Sequence, residues 1–242
     1  MSRRKSRRSQ TNSYRRYYLL GGIAVAAVVG YLFVSGALGG RGTGAQTSAS
    51  KPVILYVNQG NGVVNGSNFG KLLAAATSHG FNTIFFQAYR SGTLLFTSDA
   101  LSGFVTSAHG QGLKIFFALY FTNTTQTIPA SIYADGEDGI SLDMSTLPIS
   151  TQTALFDQLS SSYSGKTAIT TTDPTLPLSP GLLVVETYAP GDQQYIHHGM
   201  VAGVEVVATS SRQAYEQQLQ YALANSDGVM VFDYAGLAKS GY

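Results

Sequence analysis

Beyond position 51 the chain consists of short apolar runs separated by polar segments, and eight of these runs have the length and composition of β-strands. Most of the runs are nearly continuous rather than alternating, which is typical of strands that are covered on both faces in a parallel sheet. The predicted strands lie at 52–58, 82–89, 113–121, 139–144, 166–172, 182–189, 202–209 and 228–235.

Helical segments separate several of these strands, so the order of elements indicates repeated βα units. Two segments share a helix–His–Gly–strand junction, with Gly80 and Gly110 at the position where a left-handed residue closes a helix. Further helices are predicted at 151–163 and 210–226. The pattern predicts an α/β fold, a compact (β/α)8 TIM-like barrel, and an open doubly wound sheet is the alternative.

The outer helical layer of this barrel is expected to be incomplete. The connection at 173–181 contains three prolines and cannot form a regular helix. Residues 190–201 allow at most a short helix, and only seven residues follow Ala235, so an eighth outer helix is predicted to be absent.

The N-terminal part of the chain has a different pattern. Residues 1–17 are rich in Arg, and the uncharged segment 18–39 is long enough to cross a bilayer, which takes about 20 residues. We predict a transmembrane anchor there, with a cleaved signal peptide as the alternative, and the positive-inside rule predicts a cytoplasmic N-terminus and an extracellular C-terminal domain. A flexible linker at 40–51 would lead to the barrel domain at 52–242. Small residues in the anchor would permit a weak homodimer.

Charge is divided unevenly along the chain. Eight of the 15 Lys+Arg residues lie within the first 41 positions, whereas all 13 Asp+Glu residues follow them, so the predicted domain carries a net charge of about −6. No nucleic-acid partner is therefore predicted. The chain has no Cys, which excludes disulfides and thiolate sites. His197 and His198 lack convergent ligands, so neither a metal nor another cofactor is expected.

The predicted strands begin apolar and end polar, and the carboxyl ends of the strands form the functional face of a (β/α)8 barrel. Three acids at these ends are candidate catalytic residues: Asp143, Glu186 and Asp233. Asp143 shares a strand face with Gly139 and Ser141 and is predicted to point into the barrel mouth, while the direction of the other two acids stays open. Hydrolysis of a glycosidic bond requires such a pair, one acid to protonate the leaving oxygen and one to attack the sugar carbon or activate water.

Other polar and aromatic side chains at the strand ends are candidates for substrate binding: Gln87, Tyr89, Arg90, Tyr120, Tyr188 and Tyr234. The tyrosines could stack on sugar rings in place of Trp, which the chain lacks. In the structural alternative, Asp143 and Asp233 cap helices or pair with Arg90, the only basic residue near a predicted strand end. Glu205 is interpreted as a mid-strand, buried structural acid.

The segments "FNTIFFQAYRSGTLLFTSDAL", "SAHGQGLKIFFALYF" and "DGISLDM" resemble glycoside-hydrolase-like proteins of the (β/α)8 superfamily, which carry NT-hydrophobic-QVR, AH-x-x-GL and DGI-x-LD motifs. The segment "SSRQAYEQQLQYALANSDGVMVFDY" is similar to the closing helix and last strand of that group. The resemblance implies that Asp143 is the acid of the fourth strand, and that Gln87 and Arg90 form the polar end of the second.

The DGI-x-LD core is also similar to that of chitinase-like barrels, in which a glutamate two positions beyond the last Asp is the acid. Ser145 occupies that position here, so the sequence departs from a chitinase mechanism. Two functions of different classes follow. One is a membrane-anchored, extracellular glycoside hydrolase that acts on polysaccharide through paired carboxylates. The alternative is a catalytically inactive barrel that binds a glycan or a protein partner at the cell surface.

Overall fold

The computed structural model describes residues 50–59, 64–123, 126–134, 136–189, 191–206 and 212–240. The elements follow in the order β1 (Val53–Val57), α1 (Phe69–Ser78), β2 (Thr83–Arg90), β3 (Thr93–Leu94), α2 (Ser98–His109), β4 (Lys114–Tyr120), β5 (Gly139–Asp143), α3 (Ile149–Ser162), β6 (Lys166–Thr171), β7 (Leu182–Glu186), β8 (Val201–Glu205), α4 (Arg212–Asn225), β9 (Gly228–Phe232) and α5 (Tyr234–Ser240). Short 3-10 helices lie at Ala130–Ala134 and Asp192–Tyr195.

Within these ranges, eight parallel strands close into a barrel. Neighbours pair in the order β1, β2, β4, β5, β6, β7, β8 and β9, and β9 pairs back with β1. The two-residue strand β3 only extends β2 in the antiparallel direction. The closure confirms the predicted (β/α)8 barrel and excludes the open doubly wound sheet, which would leave two edge strands unpaired.

Alternation along each strand divides the apolar side chains between the barrel interior and the helical layer. The interior is filled mainly by aromatic and aliphatic side chains: Ile54, Tyr56, Phe85, Phe116, Ala118, Ala168, Val184, Val201 and Met230. A larger cluster lies between the barrel wall and the helices. Gly139 is needed in the interior because a Cβ atom there would lie 2.3 Å from a ring atom of Phe116. The barrel is therefore a packed core that opens only at its ends.

The outer layer is incomplete, with one difference from the prediction. No helix follows β6 in the described residues 172–181, and the described part of the next connection forms only a 3-10 helix. The predicted absence of a last helix is wrong. The chain leaves β9 at Phe232, and Ala235, which the prediction gave to the strand, already lies in α5.

The helix–strand junctions use glycine as predicted at one of two positions. Gly80 has a φ of 76°, in the left-handed region. Gly110 has a φ of −60°, so the prediction there is wrong. The left-handed residue of the second junction is Gly112, with a φ of 75°, because the chain makes a further turn before β4.

The predicted localisation, a single-pass membrane protein with an extracellular C-terminal domain, is corrected by the structure. Within the described residues no helix is long and apolar enough to cross a membrane. The helices α3 and α4 have 14 residues each, against the roughly 20 that a bilayer requires. The predicted tail at 1–17, the anchor at 18–39 with its homodimer, and residues 40–49 of the linker lie outside the described residues.

Candidate active site

A cavity of about 190 Å³ lies at the carboxyl ends of the barrel strands, where the sites of TIM-barrel enzymes are found. The residues that line it come from the ends of several strands or directly follow them: Tyr56, Asn58, Gln87, Arg90, Tyr120, Asp143, Ser145, Glu186, Tyr188 and Phe232. The cavity thus brings together two of the three predicted acids and four of the six predicted binding residues.

Asp143 is the last residue of β5 and faces the cavity, as the alternation with Gly139 and Ser141 predicts. The residue is 6% exposed, and its carboxylate accepts a hydrogen bond of 2.7 Å from the hydroxyl of Tyr56. Burial raises the pKa of Asp143 to about 6, while the Tyr56 hydrogen bond acts in the opposite direction. Tyr56 therefore orients the carboxylate and stabilises its ionised form.

Glu186 is the last residue of β7 and shares the inward face of that strand with Val184. Burial, followed by the nearby carboxylates of Asp143 and Glu205, raises the pKa of Glu186 to about 7. Within the described residues its carboxyl group has no hydrogen bond or ion pair. Glu186 is thus an acid in the cavity that is available to a ligand and holds its proton up to neutral pH.

Thr187 fixes the backbone between the two site residues Glu186 and Tyr188. Its hydroxyl donates to the carbonyl of Gly203 on β8 at 2.7 Å, and its backbone N–H donates to the same carbonyl at 2.9 Å. The side-chain amide of Gln218, on α4, donates to the Thr187 carbonyl. The neighbouring strand and a helix therefore hold the end of β7 in place.

Tyr188 has a buried hydroxyl that finds no hydrogen-bond partner among the described residues. Its ring lies beside that of Phe232, with centroids 5.7 Å apart. Burial, with Glu186 as the next contributor, raises the pKa of Tyr188 well above its usual value, so the hydroxyl keeps its proton. A buried, unpaired hydroxyl in a cavity wall is a donor that a ligand can satisfy.

The two acids together provide groups with different proton affinities in one cavity. Between about pH 6 and pH 7 the pKa values favour an ionised Asp143 and a protonated Glu186. A carboxylate beside a carboxylic acid is the combination that general acid catalysis with a nucleophile or base requires.

A β-bulge decides which residues of β2 reach the cavity. The pairing of β2 with β4 skips Ala88, so that Ala88 and Tyr89 both belong to the cluster under the helices. Gln87 and Arg90 consequently both line the cavity. The side-chain oxygen of Gln87 also accepts the backbone N–H of Gln59 at 2.8 Å, which ties the loop after β1 to the site.

Two predicted binding residues lie outside the cavity. The ring of Tyr89 packs against Phe121, with centroids 5.3 Å apart, and its hydroxyl donates to the carbonyl of Thr127 at 3.1 Å. Tyr234 begins α5 and packs against the cluster under the helices. The other candidates line the cavity: Gln87, Arg90, Tyr120 and Tyr188.

Asp233 follows β9 and shares the strand face of Val229 and Val231, which pack against the helices. Its carboxylate accepts the backbone N–H of Gly236 at 2.8 Å and so caps the first turn of α5. This is the structural role that the alternative interpretation gave it. Glu205 proves to be the last residue of β8 rather than a mid-strand residue, and burial, then Asp233, raises its pKa.

Four lining residues were not among the predicted site residues: Tyr56, Asn58, Ser145 and Phe232. For Tyr56 a signal was present, because it stands two positions before the polar strand end Asn58 and must share its face. Phe232 is the last inward residue before Asp233. The sequence pattern predicts that the strand continues to residue 235, so it does not place Phe232 at the strand end.

The histidines of the described chain lie away from this cavity. His109 contacts Asp138, and His198 contacts Asp227, each at 2.8 Å, near the amino ends of β5 and β9. Among the residues that the structure describes, no three His, Asp or Glu side chains converge as a possible metal site.

The raised pKa of Glu186 predicts that its charge destabilises the fold. The folded protein holds this proton more tightly than the unfolded chain, so stability falls as the pH rises from about 4.5 through about 7. Glu186→Gln is therefore expected to raise the free energy of unfolding by about 2–3 kcal/mol at pH 8 and to change it little at pH 4. Urea unfolding at the two pH values measures the difference.

Asp233→Ala provides the contrast, because its carboxylate caps a helix. This change is expected to lower the free energy of unfolding at pH 8 by about 1 kcal/mol. A loss of stability at pH 8 on Glu186→Gln would show that the charge of Glu186 supports the fold, and would contradict its description as an unpaired buried acid.

No protein-family model matches the chain, and no curated protein sequence matches it. Solved structures do share its fold. One is a noncanonic maltogenic alpha-amylase, AmyB, from Thermotoga neapolitana, with a TM-score of 0.50 and 11% identity over 77% of this chain and 68% of that chain. Another is CpGH84B, with a TM-score of 0.56 and 7% identity over 75% of this chain and 45% of that chain.

The fold is a (β/α)8 TIM barrel, which this chain shares with these two structures. This is the fold that the resemblance of the sequence motifs implies. The likeness is one of fold, and the chain spans less than half the length of CpGH84B. The roles of individual residues must therefore be argued from the cavity itself.

Proposed function

We propose that this chain is a glycoside hydrolase in which Asp143 and Glu186 are the catalytic pair. The observation that carries the proposal is that both carboxyl groups line one cavity at the carboxyl ends of the barrel strands and have pKa values raised to about 6 and about 7. The substrate would be a sugar polymer or its fragments. The glycoside-hydrolase-like fold and the DGI-x-LD motif support the same class.

Glu186 has the higher pKa and would donate its proton to the glycosidic oxygen as the bond to the sugar carbon breaks. Asp143, oriented by Tyr56, would supply the negative charge. It would attack the sugar carbon directly or accept a proton from the water that does so. If Asp143 attacks, water then hydrolyses the bond between the sugar and Asp143 and returns a proton to Glu186; if Asp143 activates water, it accepts one proton as Glu186 donates another, and in both cases only water is consumed. In this proposal Asp233 acts only through the fold, as a helix cap.

The cavity walls supply aromatic surface without Trp. Tyr56, Tyr120, Tyr188 and Phe232 line it, and such rings are suited to contact with the apolar faces of sugars. The hydroxyl of Tyr188 would bind a sugar hydroxyl, which would remove its unsatisfied state. Asn58 and Gln87 add amide groups of the kind that fix sugar orientation.

Turnover of simple glycosides tests the proposal. The purified full-length chain is expected to release 4-nitrophenol from at least one member of a panel of α- and β-linked 4-nitrophenyl glycosides. The rate should be highest between about pH 6 and pH 7, where Asp143 is ionised and Glu186 protonated. Absence of hydrolysis across this panel and a set of soluble polysaccharides would contradict the assignment.

A catalytically inactive barrel that binds a glycan or a protein partner is the second candidate. Ser145 lines the cavity at the position where chitinase-like barrels carry their acid, so no third carboxylate lies there. This candidate predicts saturable binding of a glycan or protein partner with no turnover at any pH. The glycoside panel separates the two candidates.

A further inference from the structure

Arg90 is a cation that lacks a counter-ion in the described part of the chain. Among the described lining residues it is the only basic one, and neither Asp143 nor any other described acid forms an ion pair with it. Its guanidinium lies over the ring of Tyr120, 5.5 Å from the centroid. Arg90 also lines the cavity, and a planar guanidinium can bind an anionic group in bidentate fashion.

The position of Arg90 on the rim separates it from Glu186. In the ring of strands, β2 lies four strands from β7, so Arg90 is placed across the barrel from Glu186. Arg90 lowers the pKa of neither Asp143 nor Glu186, in agreement with this separation. A sugar whose glycosidic bond lies at Glu186 would therefore direct a substituent remote from that bond towards Arg90.

The size of the cavity limits the ligand. About 190 Å³ is below the roughly 300–1,000 Å³ of most small-molecule sites, so the enclosed space suits one sugar residue rather than a longer oligosaccharide. The group that reaches Arg90 should accordingly belong to the same sugar residue as the scissile bond.

We propose that the cavity selects a terminal sugar that carries an exocyclic carboxylate, a uronic acid, and that Arg90 is the specificity-determining residue that binds the carboxylate. This inference rests on the proposed function, because it assumes that the cavity takes a sugar. A neutral sugar would leave the half-buried guanidinium without an anion, whereas a uronate would form charge-assisted hydrogen bonds with it.

The two acids in the cavity do not oppose this assignment at mildly acidic pH. Ionised Asp143 and Glu186 would repel a second carboxylate, but both carry raised pKa values and lose charge below about pH 6. Near pH 6 the uronate would meet a protonated Glu186, an Asp143 that is only partly ionised, and the cation of Arg90.

Matched pairs of sugars test the inference with the full-length chain at about pH 6, where Asp143 is partly ionised and Glu186 is protonated. The probes are 4-nitrophenyl glucuronide against 4-nitrophenyl glucoside, and galacturonide against galactoside, as both anomers. One of the uronides is expected to exceed its neutral partner by at least about tenfold in affinity or in kcat/KM. Arg90→Gln should remove this preference, and Arg90→Lys, which keeps the charge but not the fork of donors, should keep part of it.

Lys114→Gln is the matched control, since it removes the same charge from the exposed amino end of β4 and should leave the preference intact. A neutral glycoside bound or cleaved as well as its uronide would overturn the inference and leave the hydrolase proposal standing. Uronide binding that depends on Arg90, without cleavage of any probe, would support the inference and contradict the hydrolytic role. Failure of every probe to bind or be cleaved would overturn both.

Discussion

Asp143→Asn is expected to lower kcat/KM for any glycoside that the protein cleaves by about 10²- to 10⁴-fold. Asn keeps the size of the side chain and an oxygen that can accept the Tyr56 hydroxyl, but it removes the negative charge and the basic oxygen. Initial rates for the best substrate, measured at the pH optimum of the parent protein, give the effect. Unfolding of the variant in urea checks that the fold is retained.

Asp173→Asn is the matched control for this variant. Asp173 follows β6 at the same end of the barrel, but its carboxylate is occupied by the backbone and hydroxyl of Thr175 outside the cavity. Its replacement is expected to change the rate by no more than about twofold. Equal rates for the Asp143 and Asp173 variants would show that Asp143 takes no part in the reaction. Glu186 would then have no charged partner in the proposed mechanism.

The sequence is most informative about the barrel where its local signals are strong and regular. Continuous apolar runs predict parallel, doubly covered strands, and all of the runs proposed as strands belong to the closed barrel. Asp143 was predicted to face inward because Gly139 and Ser141 are small residues on its strand face, and Gly139 proves to be enforced by Phe116. Local patterns could therefore predict that Asp143 lines the cavity.

Alternation fails where the backbone departs from a regular strand. The bulge at Ala88 leaves no mark in the sequence, yet it sends Tyr89 outward and lets Arg90 reach the cavity. At the end of β9, the predicted strand continues through Tyr234 to Ala235, so the sequence does not show that Asp233 caps a helix instead of completing a strand. The bulge depends on the pairing of β2 with the distant strand β4, whereas the cap of α5 is a local hydrogen bond between Asp233 and Gly236, and the strand period encodes neither.

The aromatic filling of the barrel links its packing to the chemistry of its acids. Tyr56 and Phe232 lie with ring centroids 5.1 Å apart at the cavity, above the stacked rings of Phe85 and Phe116. These side chains narrow the cavity and surround its acids, and burial is the largest cause of the raised pKa of both cavity acids. The aromatic packing around the cavity thus accounts both for its small volume and for the raised pKa values of its two acids.

Glu186→Gln is expected to have an effect that depends on the leaving group. For glycosides with a basic alkoxide leaving group, loss of the proton donor should lower kcat/KM by about 10²- to 10⁴-fold. A 2,4-dinitrophenyl glycoside of the same sugar releases a stable phenolate that needs no protonation. The variant should therefore cleave this substrate at a rate much closer to that of the parent. The ratio of kcat/KM for the two substrates, compared between parent and variant, isolates the proton transfer.

The pH profile provides the second readout for Glu186→Gln. In the parent, activity should fall as the pH rises through about 7, because Glu186 loses the proton that it must donate. With the dinitrophenyl substrate the variant should lack this alkaline limb and keep the acidic limb of Asp143 near pH 6. Glu205→Gln, the same change on β8, should only move the alkaline limb to lower pH, since Glu205 helps to raise the pKa of Glu186. Equal losses for both substrates on Glu186→Gln would instead make Glu186 the nucleophile or base and transfer the proton-donor role to Asp143.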